Sequence, residues 1–63
     1  MIRVAITTYP QGKPEQTTWT QMPQVPRVGD SVGVDDLDMP IVRITHVRWV
    51  QGRGEWWAEC SAR

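Results

Sequence analysis

Phenylalanine is absent from this chain of 63 residues, cysteine occurs once, and neither sign of charge is in excess. Each absence removes a class of explanation. A single thiol, Cys60, can form no intrachain disulfide and no zinc site built from several thiolates, so a reducing, cytoplasmic setting is expected. Seven basic residues against seven acidic ones lack the surplus with which duplex-DNA binders neutralise phosphate, and nucleic acid is a disfavoured partner. No apolar run approaches the ~20 residues of a membrane helix, and Met1-Ile2-Arg3 does not open a basic-then-apolar leader. No membrane association is expected.

What is present is tryptophan. Trp19, Trp49, Trp56 and Trp57 take the place of the missing phenylalanines. A chain of this length makes one domain, residues 1–63, and buries only about 60% of the surface its unfolded form exposes. Each enclosed indole can remove about 150–250 Å² from water, so the tryptophans are expected to reinforce a small core. A neutral surface also resists self-association poorly, which makes a homodimer plausible.

The run Met22-Pro23-Gln24-Val25-Pro26-Arg27-Val28-Gly29-Asp30-Ser31-Val32 forbids helix at the middle of the chain. Its prolines lack an amide proton and hold their neighbours extended, and Gly29-Asp30 supplies a turn before the next strand. Upstream, Ile2, Val4 and Ile6 alternate with Arg3, Ala5 and Thr7, the period of a strand with one apolar face. The turn formers from Tyr9 to Pro14 separate it from a second strand, Glu15 to Gln21. A loop at Pro10 to Lys13 would set Val4 opposite Trp19 and Ile6 opposite Thr17.

Downstream, Ser31 to Val34 reads as a short strand, Asp35-Asp36-Leu37-Asp38-Met39-Pro40 as an acidic loop with room for one helical turn, and Ile41 to Val50 as the longest strand. With Gln51 to Gly54 as a loop, Trp49 pairs with Trp56, Arg48 with Trp57, and His46 with Glu59. Val47, Trp49, Trp56, Ala58 and Cys60 then share an apolar face, and His46, Arg48, Trp57 and Glu59 the opposite one. Val42 and Ile44 fall on the wrong face by strict alternation. A bulge near Thr45-His46 would return them to the core. The pattern predicts an all-β fold, a small five-stranded antiparallel SH3-like barrel, ahead of a partly open OB-like Greek-key barrel.

The segments Val25-Pro26-Arg27-Val28-Gly29-Asp30-Ser31-Val32 and Val42-Arg43-Ile44-Thr45-His46-Val47-Arg48-Trp49, followed by a last strand bearing tryptophan, resemble small uncharacterised β-barrel proteins of bacteria and their phages with a Pro-x-Val-Gly-Asp turn. The resemblance covers the whole chain. It implies a compact barrel and no assigned activity.

The side chains offer little chemistry. His46, Glu59 and Cys60 suggest a base, an orienting carboxylate and a thiol, but neighbours on a strand point to opposite faces, which separates Cys60 from His46. Asp35, Asp36 and Asp38 fail the calcium-loop pattern, with Pro40 where glycine and His46 where glutamate would stand. The glycines lack a Walker lysine and a following helix. No catalytic residue, metal or cofactor is expected.

A barrel this small carries function on its surface. The Trp56-Trp57 dipeptide forces one indole outward, and arginine over indole is typical of interface hot spots. The expected function is a non-catalytic protein-interaction module, a phage or mobile-element protein engaging a host factor through Trp57, Arg48, His46, Arg43 and Arg53. The alternative is single-stranded nucleic acid stacked on indoles, with Arg43, Arg48 and Arg53 at phosphates. The Ile2 to Thr8 strand is the expected edge for a homodimer.

Overall fold

The computed structural model describes residues 1–33 and 41–63. It contains β1 (Ile2–Thr8), β2 (Gln16–Met22), β3 (Ser31–Gly33), β4 (Ile41–Gln51) and β5 (Trp56–Ala62). The strands form one curled, half-barrel sheet in the order β2-β1-β5-β4-β3. The acidic loop and Val34 lie outside the described residues, and no helix occurs among those described.

The sheet is mixed rather than wholly antiparallel. β1/β2, β4/β5 and β3/β4 pair antiparallel, but β1 and β5 run parallel, with Val4 beside Ala58 and Thr8 beside Ala62. Each hairpin is antiparallel by its own turn, whereas the direction in which the two meet is set by burial. Val4, Ala5 and Ile6 are consecutive and all buried, the mark of a central strand covered on both faces. Flanked by β2 and β5, β1 therefore offers no free edge, and the dimer edge expected at Ile2 to Thr8 is not one.

The first hairpin pairs Ala5 with Trp19 and Ile6 with Thr18, one residue away from the expected register. Pairing centres on Gly12, whose φ of 75° only glycine adopts readily, and the loop is closed by Lys13 N–H donating to Pro10 C=O at 3.2 Å. A slip of one residue turns every side chain over. Trp19 accordingly lies on the outer face, with Arg3 and Thr7.

The second hairpin is displaced by two residues, which changes partners and keeps faces. Gly52 N–H donates to Glu55 C=O at 2.9 Å, so the turn is the pair Arg53-Gly54, with φ of 70° at Gly54. Trp49 pairs with Ala58, Arg48 with Glu59, and His46 with Ser61. The expected irregularity is present, as a register shift between Ile44 and His46. Thr45 anchors the bulge by donating from Oγ1 to Ser61 C=O at 3.2 Å. Val42 and Ile44 thereby point inward.

The core is Val4, Ile6, Val42, Ile44, Ala58, Cys60 and Ala62, flanked by Ile2, Met22, Val25, Val32 and Val47. No tryptophan belongs to it. Trp19, Trp49 and Trp56 are 50%, 52% and 59% exposed, contrary to the expectation that indoles reinforce the interior. The reason is geometric. β3 pairs only with Ile41 to Arg43, so the far end of the β4/β5 hairpin projects past the core and carries Trp49 and Trp56 with it. The extents, 36 × 21 × 19 Å, show the elongation.

Thr8 is 1% exposed, and its Oγ1 has no hydrogen-bond partner. An unpaired buried hydroxyl costs stability, so Thr8→Val is expected to stabilise the fold by about 1 kcal/mol. Ile6→Ala, which empties a fully buried position, should cost about 2–5 kcal/mol and leave little folded protein. Urea unfolding followed by circular dichroism measures both.

Candidate functional site

The outer face of the sheet collects most of the polar and aromatic chemistry. β2 contributes Trp19 and β5 contributes Trp57, and between them on β1 stands Ala5, opposite Trp19 on one side and Glu59 on the other. Because Ala5 is small, the two indoles meet above it. Their centroids are 6.2 Å apart with an interplanar angle of 62°, an edge-to-face pair worth about 0.5–1.5 kcal/mol beyond its buried area. Ala5 is left 4% exposed.

Polar neighbours hold this pair in place. Glu59 accepts from Arg48 Nη2 at 2.6 Å on Oε1 and from Trp57 Nε1–H at 3.2 Å on Oε2. The Arg48 hydrogen bond and then that of Trp57 hold the Glu59 carboxyl below the usual carboxylate range. Arg3 stacks its guanidinium 4.9 Å from the Trp19 ring centroid and bonds Glu55 at 2.9 Å. Behind Trp57 lies Gly52. A Cβ there would come within 2.6 Å of the Trp57 ring, so any side chain larger than hydrogen displaces the indole.

Each expected binding residue can now be placed. Arg43, His46 and Arg48 all reach the outer face, because the bulge at Thr45 restores their alternation with Val42, Ile44 and Val47. Trp57 shares that face and is half-buried rather than fully exposed. Arg53 stands apart from them at the hairpin tip. The expected pairing of Arg48 with Trp57 is replaced by Arg48 with Glu59, and arginine stacks on indole at Arg3 and Trp19 instead. His46 faces Ser61, not Glu59, and its Nδ1 lies 3.2 Å from Thr45 Oγ1. A shallow groove runs over β5 between Thr7 and Tyr9 on one side and His46 and Arg48 on the other.

Cys60 points into the core at 2% exposure, and burial pushes its thiol pKa up. It is separated from exposed His46 by the thickness of the sheet, so the two cannot act together. Among the described residues no group of three His, Cys, Asp or Glu side chains could hold a metal. Asp35, Asp36 and Asp38 lie outside them.

Sequence reasoning missed Trp19 and Arg3 because it centred the first hairpin half a residue early. The signal was Gly12, the natural apex of a loop symmetrical about one residue. It also placed Trp49 and Trp56 inward correctly by face but not by depth. Comparison with protein-family models, characterised proteins and solved structures returns no match.

Glu59 titration tests this network. Its lowered folded-state pKa contributes stability that is present above the ordinary glutamate range and lost as pH falls through the lowered value. In an NMR titration the Trp57 indole N–H should shift at that low pH, and Arg48→Ala should move the midpoint upward. Gly52→Ala should erase the near-ultraviolet dichroism of the Trp19–Trp57 pair while the far-ultraviolet spectrum persists.

Proposed function

We propose that this chain is a non-catalytic protein-interaction module whose partner docks on the outer face, over Trp57 and Trp19, with Arg48, His46 and Arg43 alongside and Arg53 at the tip. The observation that carries the reading is the indole pair, fixed by Glu59, Gly52 and Arg3 yet with Trp19 half exposed. Tryptophan and arginine dominate interface hot spots. Their side chains are already ordered, so binding need not spend as much free energy on immobilising them.

In setting, the chain is read as a cytoplasmic phage or mobile-element protein acting on a host factor, in keeping with its resemblance and its single unbridged cysteine. In fold it is read as SH3-like rather than OB-like, which the lack of helix among the described residues favours. The parallel β1/β5 pair is a departure from that pattern. Single-stranded nucleic acid is the second reading, favoured by exposed indoles beside arginines. Zero net charge and the engagement of Arg3 and Arg48 by Glu55 and Glu59 weigh against it.

The test is capture from a bacterial host lysate with wild type, Trp19→Ala and Arg48→Ala, each first shown to be folded. A partner held by wild type should bind Trp19→Ala more weakly by about 2 kcal/mol, roughly thirty-fold in Kd. Equal capture by all three proteins would reject this face. Oligonucleotide binding that weakens steeply with salt would install the second reading in its place.

A further inference from the structure

The groove over β5 lies next to the indole pair on the outer face but differs from it in chemistry. β1 and β4 flank β5, so their side chains stand two strand spacings apart, about 9.5 Å. At this level β5 presents the small Ser61, which pairs with Thr7 on one side and His46 on the other. Tyr9, 58% exposed, continues the wall beyond Thr7, and the Arg48–Glu59 ion pair marks the end nearer the indoles. The volume, about 550 Å³, lies within the range of small-molecule sites.

The lining carries no surplus charge. Arg48 and Glu59 are bonded to each other at 2.6 Å, so an anion would meet the carboxylate and a cation the guanidinium. What remains is hydrogen bonding in both directions. The hydroxyls of Thr7 and Ser61 can each donate and accept, and Thr7 shares one bond with Thr17 Oγ1 at 2.8 Å. His46 turns Nδ1 toward Thr45 Oγ1, so Nε2 is the nitrogen that a ligand can reach. Arg48 gives Nη2 to Glu59 while 75% of its side chain stays exposed. The one apolar wall is the Tyr9 ring, because Val47 and Cys60 turn their side chains to the core.

We infer that this groove binds a neutral saccharide, with the C–H face of a pyranose ring on Tyr9 and its hydroxyls on Thr7, Ser61, His46 and the Arg48–Glu59 pair. A sugar ring matches each property of the lining, since it has donors and acceptors around its rim, an apolar face and no charge. The ion pair adds direction, because neighbouring sugar hydroxyls can accept from the guanidinium and donate to the carboxylate. A peptide strand fits less well, as the lining holds no apolar recess for its side chains. The inference goes beyond the reading of a protein partner on the indoles. It shares Arg48 and His46 with that surface and does not use Trp19 or Trp57.

An NMR titration tests it, with maltose, cellobiose, lactose and diacetylchitobiose as probes, and glucuronic acid and glucosamine as charged controls. At least one neutral disaccharide should bind with a Kd of about 1 mM and shift Thr7, Tyr9, His46 and Ser61 together. Tyr9→Ala, at an exposed position, should weaken that binding about ten-fold, whereas Tyr9→Phe, which keeps the ring, should retain most of it. No shift with any of the four probes up to about 10 mM, tighter binding of either charged sugar, or binding that Tyr9→Ala leaves intact would overturn the inference. Shifts confined to the Trp19 and Trp57 indoles would reject the groove as the site, while the protein-partner reading stands or falls separately on the capture experiment.

Discussion

The parallel seam between β1 and β5 is the contact on which everything else in this protein depends. A two-stranded hairpin is at best marginally stable in water, and the chain consists of two hairpins with a short strand laid on the second. Only where Val4, Ala5, Ile6, Thr7 and Thr8 run beside Ala58, Glu59, Cys60, Ser61 and Ala62 do they become one sheet with a shared interior. The seam joins residues at opposite ends of the sequence. Its cost in chain entropy is met inside the sheet by burial of small and aliphatic side chains, since no indole enters the core, and outside it by the Trp19–Trp57 contact.

Small side chains along the seam decide what each face can hold. Inside, Ala58, Cys60 and Ala62 leave room for Val4, Ile6, Val42 and Ile44 to close over them. Outside, Ala5 lets Trp19 from β2 and Trp57 from β5 touch across an intervening strand. A larger residue there would part the indoles. Core and candidate surface are thus two sides of one packing solution.

The candidate site was partly legible. Period-two alternation identified His46, Arg48, Trp57 and Glu59 as one face, and it survived a register error of two residues because an even slip preserves faces. The bulge at Thr45 was legible for a related reason, since Val42 and Ile44 had no other way to reach the core. Trp19 was lost to an odd slip in the first hairpin, where a single residue in loop placement reverses every orientation. The hydrogen bond from Arg48 to Glu59 was not legible, because it depends on which residue of β5 stands across from Arg48.

The sequence by itself determined where strands begin and end to within a residue, which side chains share a face within the second hairpin, and that one thiol and balanced charge narrow the chemistry available. These are local properties, carried by alternation, proline and glycine. Only the tertiary structure decided that β1 is central, that β5 runs parallel to it, and that three tryptophans stand at the surface. Such outcomes turn on how the two hairpins share a small core, and residues close together in sequence carry no information about which distant strand will cover them.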